Sequence, residues 1–207
     1  EDKTTSLELK ADHSALIMKQ IWDFSQTVDI DDVKEILDRQ ITCNMAIANE
    51  GIHNSYGANI GHVILNMDSD CVKTRAKAYA AAGSDARMNG CELPVVINSG
   101  SGNQGITCCV PVVVYAKELD CTQEQLYRAL VLSNLTAIYI KTGIGTLSAF
   151  CGAVSAGAAA GAGIAYLHNG TYKEIQHTIV NALAILSGTI CDGAKASCAA
   201  KIASSID

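Results

Sequence analysis

The sequence predicts a mainly α-helical, compact multi-helix domain with Ala/Gly-rich buried helices and at most one or two short strands. Three observations predict it. Apolar residues recur every three or four positions through several long segments. Two capping-box signatures, Thr122 with Gln125 and Thr171 with Glu174, open helical stretches. Residues 142–172 carry no Asp, Glu, Lys or Arg and are dominated by Ala and Gly.

Taken in order, residues 7–27 hold Leu16, Ile17, Lys19, Gln20 and Trp22 in a helical rhythm. Residues 31–49 place Val33, Ile36, Leu37, Ile41, Met45 and Ile47 on one face of a second helix. Gly51, Gly57 and Gly61 then punctuate a segment holding His53 and His62, and residues 71–87 form an Ala-rich helix. The β-branched run LPVVIN at 93–98 reads as the single short strand. It enters the loop Ser99-Gly100-Ser101-Gly102-Asn103-Gln104-Gly105, after which the apolar run 106–115 begins a buried helix. Helices follow from Thr122 to about Lys141 and from Thr171 to about Ser187. Between them, Asn169-Gly170 stops the uncharged Ala/Gly helix. A last helix starts near Ala194, for eight or nine helices in all.

The uncharged stretch is long enough to cross a bilayer. Its large apolar residues are few, and Ala and Gly give little transfer energy. Gly157 and Gly161 form a GxxxG pattern that marks close helix packing. The stretch therefore reads as a helix buried in a protein core rather than a membrane span. The chain has 207 residues, 49% hydrophobic and 17% charged, with a net charge of −6. That is ample for one core and gives no basic footprint for nucleic acid. Nine cysteines without signal-peptide character at the N-terminus predict a reducing, cytoplasmic setting rather than a disulfide framework. Cys43, Cys71, Cys91, Cys108, Cys109 and Cys121 are expected to be small buried hydrophobes.

Cys151, Cys191 and Cys198 stand apart because each is flanked by small residues, which allow close approach to a bulky group. On one straight helix, Cys191 and Cys198 would be separated by about 10.5 Å. A helix beginning just after Asp192-Gly193 would instead leave Cys191 in the preceding turn and aim its free N–H groups at the thiolates. Three soft thiolates suit iron–sulfur or zinc, while a closed zinc site wants four ligands. Spacing alone leaves this reading beside that of three buried structural cysteines. The Gly/Ser/Asn loop, entering a helix, is either an anion site for a substrate carboxylate or a tight structural turn. It is not a Walker loop, because no Gly-Lys-Ser/Thr follows. His53 and His62 are candidate proton carriers or structural histidines. His13, His168 and His177 read as surface, and Lys141 and Lys195 lie close in sequence to the cysteine segments.

The runs VVINSGSGNQGI, SAFCGAVSAGAAAGAGIAYL and CDGAKASC together resemble the iron–sulfur L-cysteine desulfidase family, related to the alpha chain of bacterial iron–sulfur L-serine dehydratases. The resemblance extends from about Asn44 to the end of the chain. It implies that Cys151, Cys191 and Cys198 hold a four-iron four-sulfur (4Fe-4S) cluster with one open iron, and that no pyridoxal phosphate is used. The short CDGAKASC spacing resembles the desulfidase branch, since the dehydratases have a longer insert there. The resemblance also makes Ser99, Ser101, Asn103 and Gln104 candidates for binding the substrate, L-cysteine or L-serine, through its carboxylate or amino group. Residues 1–207 then correspond to an alpha-chain-like domain of a longer protein. The catalytic base is expected from the family's N-terminal region, an intramolecular partner. The apolar content is also compatible with a homodimer.

Overall fold

The computed structural model describes residues 16–145 and 148–207. His13 and the start of the first predicted helix lie outside the described residues. Within them, nine α-helices and no strand are formed: α1 Met18–Thr27, α2 Ile30–His53, α3 Ile60–Met67, α4 Val72–Met88, α5 Gly102–Glu118, α6 Gln123–Ile144, α7 Gly152–Leu167, α8 Tyr172–Ile185 and α9 Cys198–Ile206. The helical reading holds, and both capping boxes are made, at Thr122/Gln125 and Thr171/Glu174.

Helix α7 lies at the centre and packs against α5, α6, α8 and α9. Its small side chains make this possible. Gly157 faces Ser205 of α9, Gly161 faces Thr178 of α8, and Gly163 faces α5 and α6. A second layer is built on α4, which packs against α2, α3, α5 and α9. Ile47, Ala80, Ile106, Val110, Val154 and Ile202 form the core between the two layers. Ile47, Ile106, Val110 and Ile202 are fully buried, each burial contributing about 1.5–3 kcal/mol. No helix among the described residues is long and apolar enough to cross a membrane.

The chain directions decide where the site lies. Gln104 touches Gly152 and Val112 touches Gly163, so α5 and α7 run parallel. Gly157 packs on Ser205, and Lys201 donates to the carbonyl of Ile190, which pairs with Phe150. Helices α7 and α9 are therefore parallel too. Helix α4 runs the other way: Gly83 meets Ile106 and Arg87 meets Gly102. The start of α4 meets the C-terminal end of α9, where Asp207 accepts from Lys77 at 2.6 Å. The N-termini of α5, α7 and α9 and the C-terminal turn of α4 thus share one end of the fold.

The predicted strand at 93–98 does not form. These residues carry no regular structure apart from the Asn98–Ser101 bridge, and among the described residues no second strand lies beside them. The buried side chain of Asn44 takes the place of one, accepting from Val96 N at 2.8 Å and donating to Val96 O at 3.1 Å and Gly105 O at 3.0 Å. The β-branched run finds its hydrogen-bond partner in a helix side chain rather than in another strand. The loop after it also differs from expectation. Only residues 98–101 are a turn, closed by mutual backbone bonds between Asn98 and Ser101, with Ser99 and Gly100 at positive φ as a two-residue primed turn requires. Gly102 to Gly105 already belong to the first turn of α5.

Candidate functional site at three converging helix N-termini

Cys151 is the N-cap residue of α7 and is buried, 7% exposed. An isolated antiparallel bridge joins Phe150 to Ile190. Around it, Cys151 N donates to Thr189 O at 3.0 Å and Cys191 N donates to Ala149 O at 2.8 Å. Cys151 and Cys191 are therefore held on adjacent backbone segments. Gly193 has φ +94, a turn that a side chain would strain, and residues 194–197 bend before the helix starts. Helix α9 begins at Cys198 rather than near Ala194, so Cys198 sits in its first turn, its thiol 3.7 Å from Gly193 O. Cys191 is exposed and Cys198 half-buried.

Lys201 is one turn beyond Cys198. Its ammonium is bound by the Asp192 carboxylate and donates to Ile190 O at 3.1 Å. The hydrogen bond to Asp192 raises the Lys201 pKa most, and the Cys151 and Cys198 thiols lie close enough to add to the shift. The same bond pulls the Asp192 pKa down. Sequence reasoning pointed to Lys141 and Lys195 and missed Lys201. The i+3 spacing from Cys198 was the available signal, since such residues share a helix face.

The loop residues divide. Gln104 is 7% exposed and lies over Gly152, with its Nε2 2.5 Å from the place a Cβ would occupy. Its Oε1 is buried without a hydrogen-bond donor. Asn103, 6% exposed, accepts from Arg87 Nη1 at 3.2 Å. Ser101 caps α5 by accepting from Gln104 N at 3.4 Å. Ser99 faces elsewhere: its hydroxyl donates to Asn98 Oδ1 at 2.7 Å, and Asn98 Nδ2 donates to Asn134 Oδ1 at 2.9 Å. Ser99 and this network line a separate apolar pocket of about 290 Å3 between α1, α2 and α6. Cys151 itself borders an apolar pocket of about 210 Å3, walled by Ile140, Phe150, Val154, Leu183 and Leu186.

Arg87 was also missed in the sequence. It comes from the last turn of α4, and its Nε lies 2.3 Å from the position of a Cβ on Gly102, so a side chain there would push the guanidinium aside. The histidines are not part of this constellation. His53 is exposed on its own helix with Nδ1 against Asn49 O, His168 stacks edge-on against Tyr115, and His177 is exposed. His62 sits at the start of α3 near Asp85.

The remaining cysteines behave differently from the three. Cys108 and Cys109 are fully buried, and burial pushes the Cys108 thiol up to about 12 and the Cys109 thiol well above its ordinary value. Cys43, Cys91 and Cys121 are half-buried, whereas Cys71 is exposed at the start of α4, contrary to expectation. All nine cysteines are free thiols.

The arrangement offers three thiols together with N–H groups from three helix ends and one lysine, and the N–H groups and the lysine favour thiolate or another anionic group. Among the described residues, no three or more His, Cys, Asp or Glu side chains gather closely enough to hold one metal ion.

The serine dehydratase alpha chain family matches residues 4–207. A UPF0597 protein of Desulfitobacterium hafniense is 59% identical over 206 residues, covering 100% of this chain and 48% of that relative. A UPF0597 protein of Lachnoclostridium phytofermentans is 59% identical over 196 residues, covering 95% of the chain and 47% of the relative. One from Treponema denticola is 51% identical over 215 residues, covering 100% and 50%. The chain thus spans about half the length of the curated relatives it matches. No solved structure matches it. A match across nearly every residue, carried by relatives at more than half identity, means that the chain belongs to the serine dehydratase alpha chain family.

Proposed function

We propose that the shared end of α5, α7 and α9 is the site of a lyase that eliminates hydrogen sulfide from L-cysteine, or water from L-serine, giving pyruvate and ammonia. The observation that carries the reading is the convergence itself. The first turns of three parallel helices bring Gln104, Cys151 and Cys198 to one end, and the Phe150–Ile190 bridge holds Cys191 beside them.

Cys151, Cys191 and Cys198 would hold a 4Fe-4S cluster. The donor set fits: three free thiols would be the ligands, and the helix N-termini and Lys201 favour the negative charge that thiolates bring. When bound, such a cluster supplies a Lewis-acidic iron open to the substrate's leaving group.

The chain's own residues do the rest of the binding. Gln104 presents its amide beside Gly152, next to Cys151, and with Asn103 it would receive the substrate's carboxylate and amino group. Ser101 fixes the first turn of α5, and Ser99 fixes the turn before it. In the elimination, a base takes the α-proton, and the Cα–H electron pair forms the second bond of a Cα=Cβ double bond as the Cβ–S bond breaks and hydrosulfide leaves. The enamine becomes an imine, and water hydrolyses it to pyruvate and ammonia. The base is assigned to the family's N-terminal region, acting as a partner to this domain. A reducing cytoplasm fits nine unpaired thiols.

A second reading, L-serine as the main substrate, is favoured by the description of the matching family. The test offers L-cysteine and L-serine at equal concentration to the full-length protein after anaerobic loading with iron and sulfide. Sulfide released in step with pyruvate is the expected result. Pyruvate without sulfide would turn the assignment to L-serine. Bound iron with neither product would leave a binding domain and end the lyase reading.

A further inference from the structure

We infer that Arg87 anchors the α-carboxylate of the substrate while Gln104 Oε1 receives its α-ammonium, so that the site selects free α-amino acids. The inference takes the position of the site from the lyase reading and adds two residue roles.

Arg87 is half-buried at the end of α4, yet it makes no ion pair among the described residues. Arg75 and Arg128, by contrast, are each bound by a carboxylate. The Arg87 guanidinium is held instead by two weak, uncharged acceptors, Asn103 Oδ1 at 3.2 Å and Met88 Sδ at 3.3 Å. A half-buried guanidinium without an ion pair can take a planar anion that accepts two of its donors. The first turn of α5, against which it lies, adds its own free N–H groups.

The neighbouring residue supplies the opposite polarity. Gln104 is more than nine-tenths buried, and its Oε1 has no donor. Such an acceptor is costly to leave unmade, and a ligand N–H group would satisfy it. An α-amino acid carries a carboxylate and an ammonium on one carbon. Arg87 lies against Gly102 and Asn103, and Gln104 against Gly152, so the first turn of α5 carries one cationic donor group and one acceptor. Gly152 leaves the space for the Gln104 amide at the mouth of α7, next to Cys151. The substrate's side chain would then extend toward the cysteines.

Calorimetric titration of the full-length protein tests this with three ligands that have no leaving group: L-alanine, propionate and ethylamine. Wild type is expected to bind L-alanine at least tenfold more tightly than either of the others. Arg87→Gln should weaken L-alanine and propionate at least tenfold and leave ethylamine unchanged, with Arg87→Lys recovering part of the loss. Gln104→Leu should weaken L-alanine and ethylamine and leave propionate unchanged. If Arg87→Gln fails to fold by circular dichroism, Arg87→Lys and the three-ligand comparison in wild type decide the matter. Undiminished L-alanine binding in both Arg87 variants would overturn the inference. So would a wild type that does not bind L-alanine, or binds it no better than propionate. These outcomes are separable from the lyase reading, because absent pyruvate and sulfide alongside the expected binding pattern would sink only the reaction.

Discussion

The carboxamide of Gln104 lies directly over Gly152, so close that a methyl group there would stand 2.5 Å from Gln104 Nε2. This contact joins the first turns of α5 and α7 and brings the Gly/Ser-rich segment to Cys151. The account's predictions start from such contacts.

Gly152→Ala and Gly157→Ala should fail in different ways. At Gly152 the added methyl meets the end of a flexible side chain, so Gln104 swings away and stability changes by less than about 1 kcal/mol. Ligand binding should suffer instead. At Gly157 the methyl meets the backbone oxygen of Ser205 at 2.5 Å, which cannot yield without moving α9. Overpacking of that kind costs about 1–3 kcal/mol. Urea unfolding of both variants, with L-alanine titration of the first, checks the contrast.

Asn44→Ala should destabilise strongly, although it removes a polar side chain. Asn44 is fully buried and serves Val96 N, Val96 O and Gly105 O. Its loss strips Val96 N and Val96 O of their partner, while Gly105 O keeps Cys108 Sγ, for about 2 kcal/mol or more. The urea midpoint should fall. Amide exchange should quicken first at residues 95–105, since their anchor is gone.

Asp85 predicts a pH effect. Its carboxylate is 1% exposed and caps α3 by accepting from Ile60 N at 2.7 Å. Burial raises its pKa above the ordinary 3.8, opposed by the N–H groups of Ile60, Ala58 and Gly61 and by His62. A carboxyl with a raised folded-state pKa contributes stability below its unfolded value, and that contribution is lost as pH rises through the folded value. Wild type should therefore lose part of its stability as pH climbs from about 4, and Asp85→Asn should remove that component of the slope. Thermal melts of both proteins between pH 4 and 7 provide the measurement. Equal slopes would contradict the assignment.

Lys201→Met should impair iron retention without unfolding the domain. Lys201 ties Asp192 and Ile190 to α9 and sets a positive charge near Cys151 and Cys198. Its removal frees the segment carrying Cys191 and weakens the field that favours an anionic cluster. Iron retained after desalting should drop several-fold in Lys201→Met and recover in Lys201→Arg, while circular dichroism stays unchanged.

Much of the architecture was legible because it depends on local chemistry. The capping boxes at Thr122 and Thr171 mark helix starts, and the uncharged Ala/Gly run marks the buried centre, α7. The misread places depend on distant partners. Residues 93–98 have strand-like side chains, but their ladder is a single asparagine some fifty residues earlier, which no local pattern reveals. Gly102–Gly105 look like loop by composition. They fold as helix because Ser101 caps them and because Gly102 and Gly105 make room for Arg87 and for Val96 O. Within the site, Cys151, Cys191 and Cys198 were singled out by the family resemblance, because their small neighbours alone left a structural reading open. Lys201 was legible in principle from its spacing to Cys198. Arg87 was not, because only the antiparallel packing of α4 on α5 carries it to this end of the molecule.

The central claim is that Cys151, Cys191 and Cys198 together hold one cluster. It is tested most directly by iron counting and visible absorbance after anaerobic reconstitution of the full-length protein. Wild type and Cys71→Ala, whose exposed thiol lies at the opposite end of α4 from Arg87, should each bind about four irons with a broad charge-transfer band. Each of Cys151→Ala, Cys191→Ala and Cys198→Ala should lose both signals. Iron content and absorbance that survive any one of those three substitutions intact, or a wild type that takes up no iron, would contradict the account.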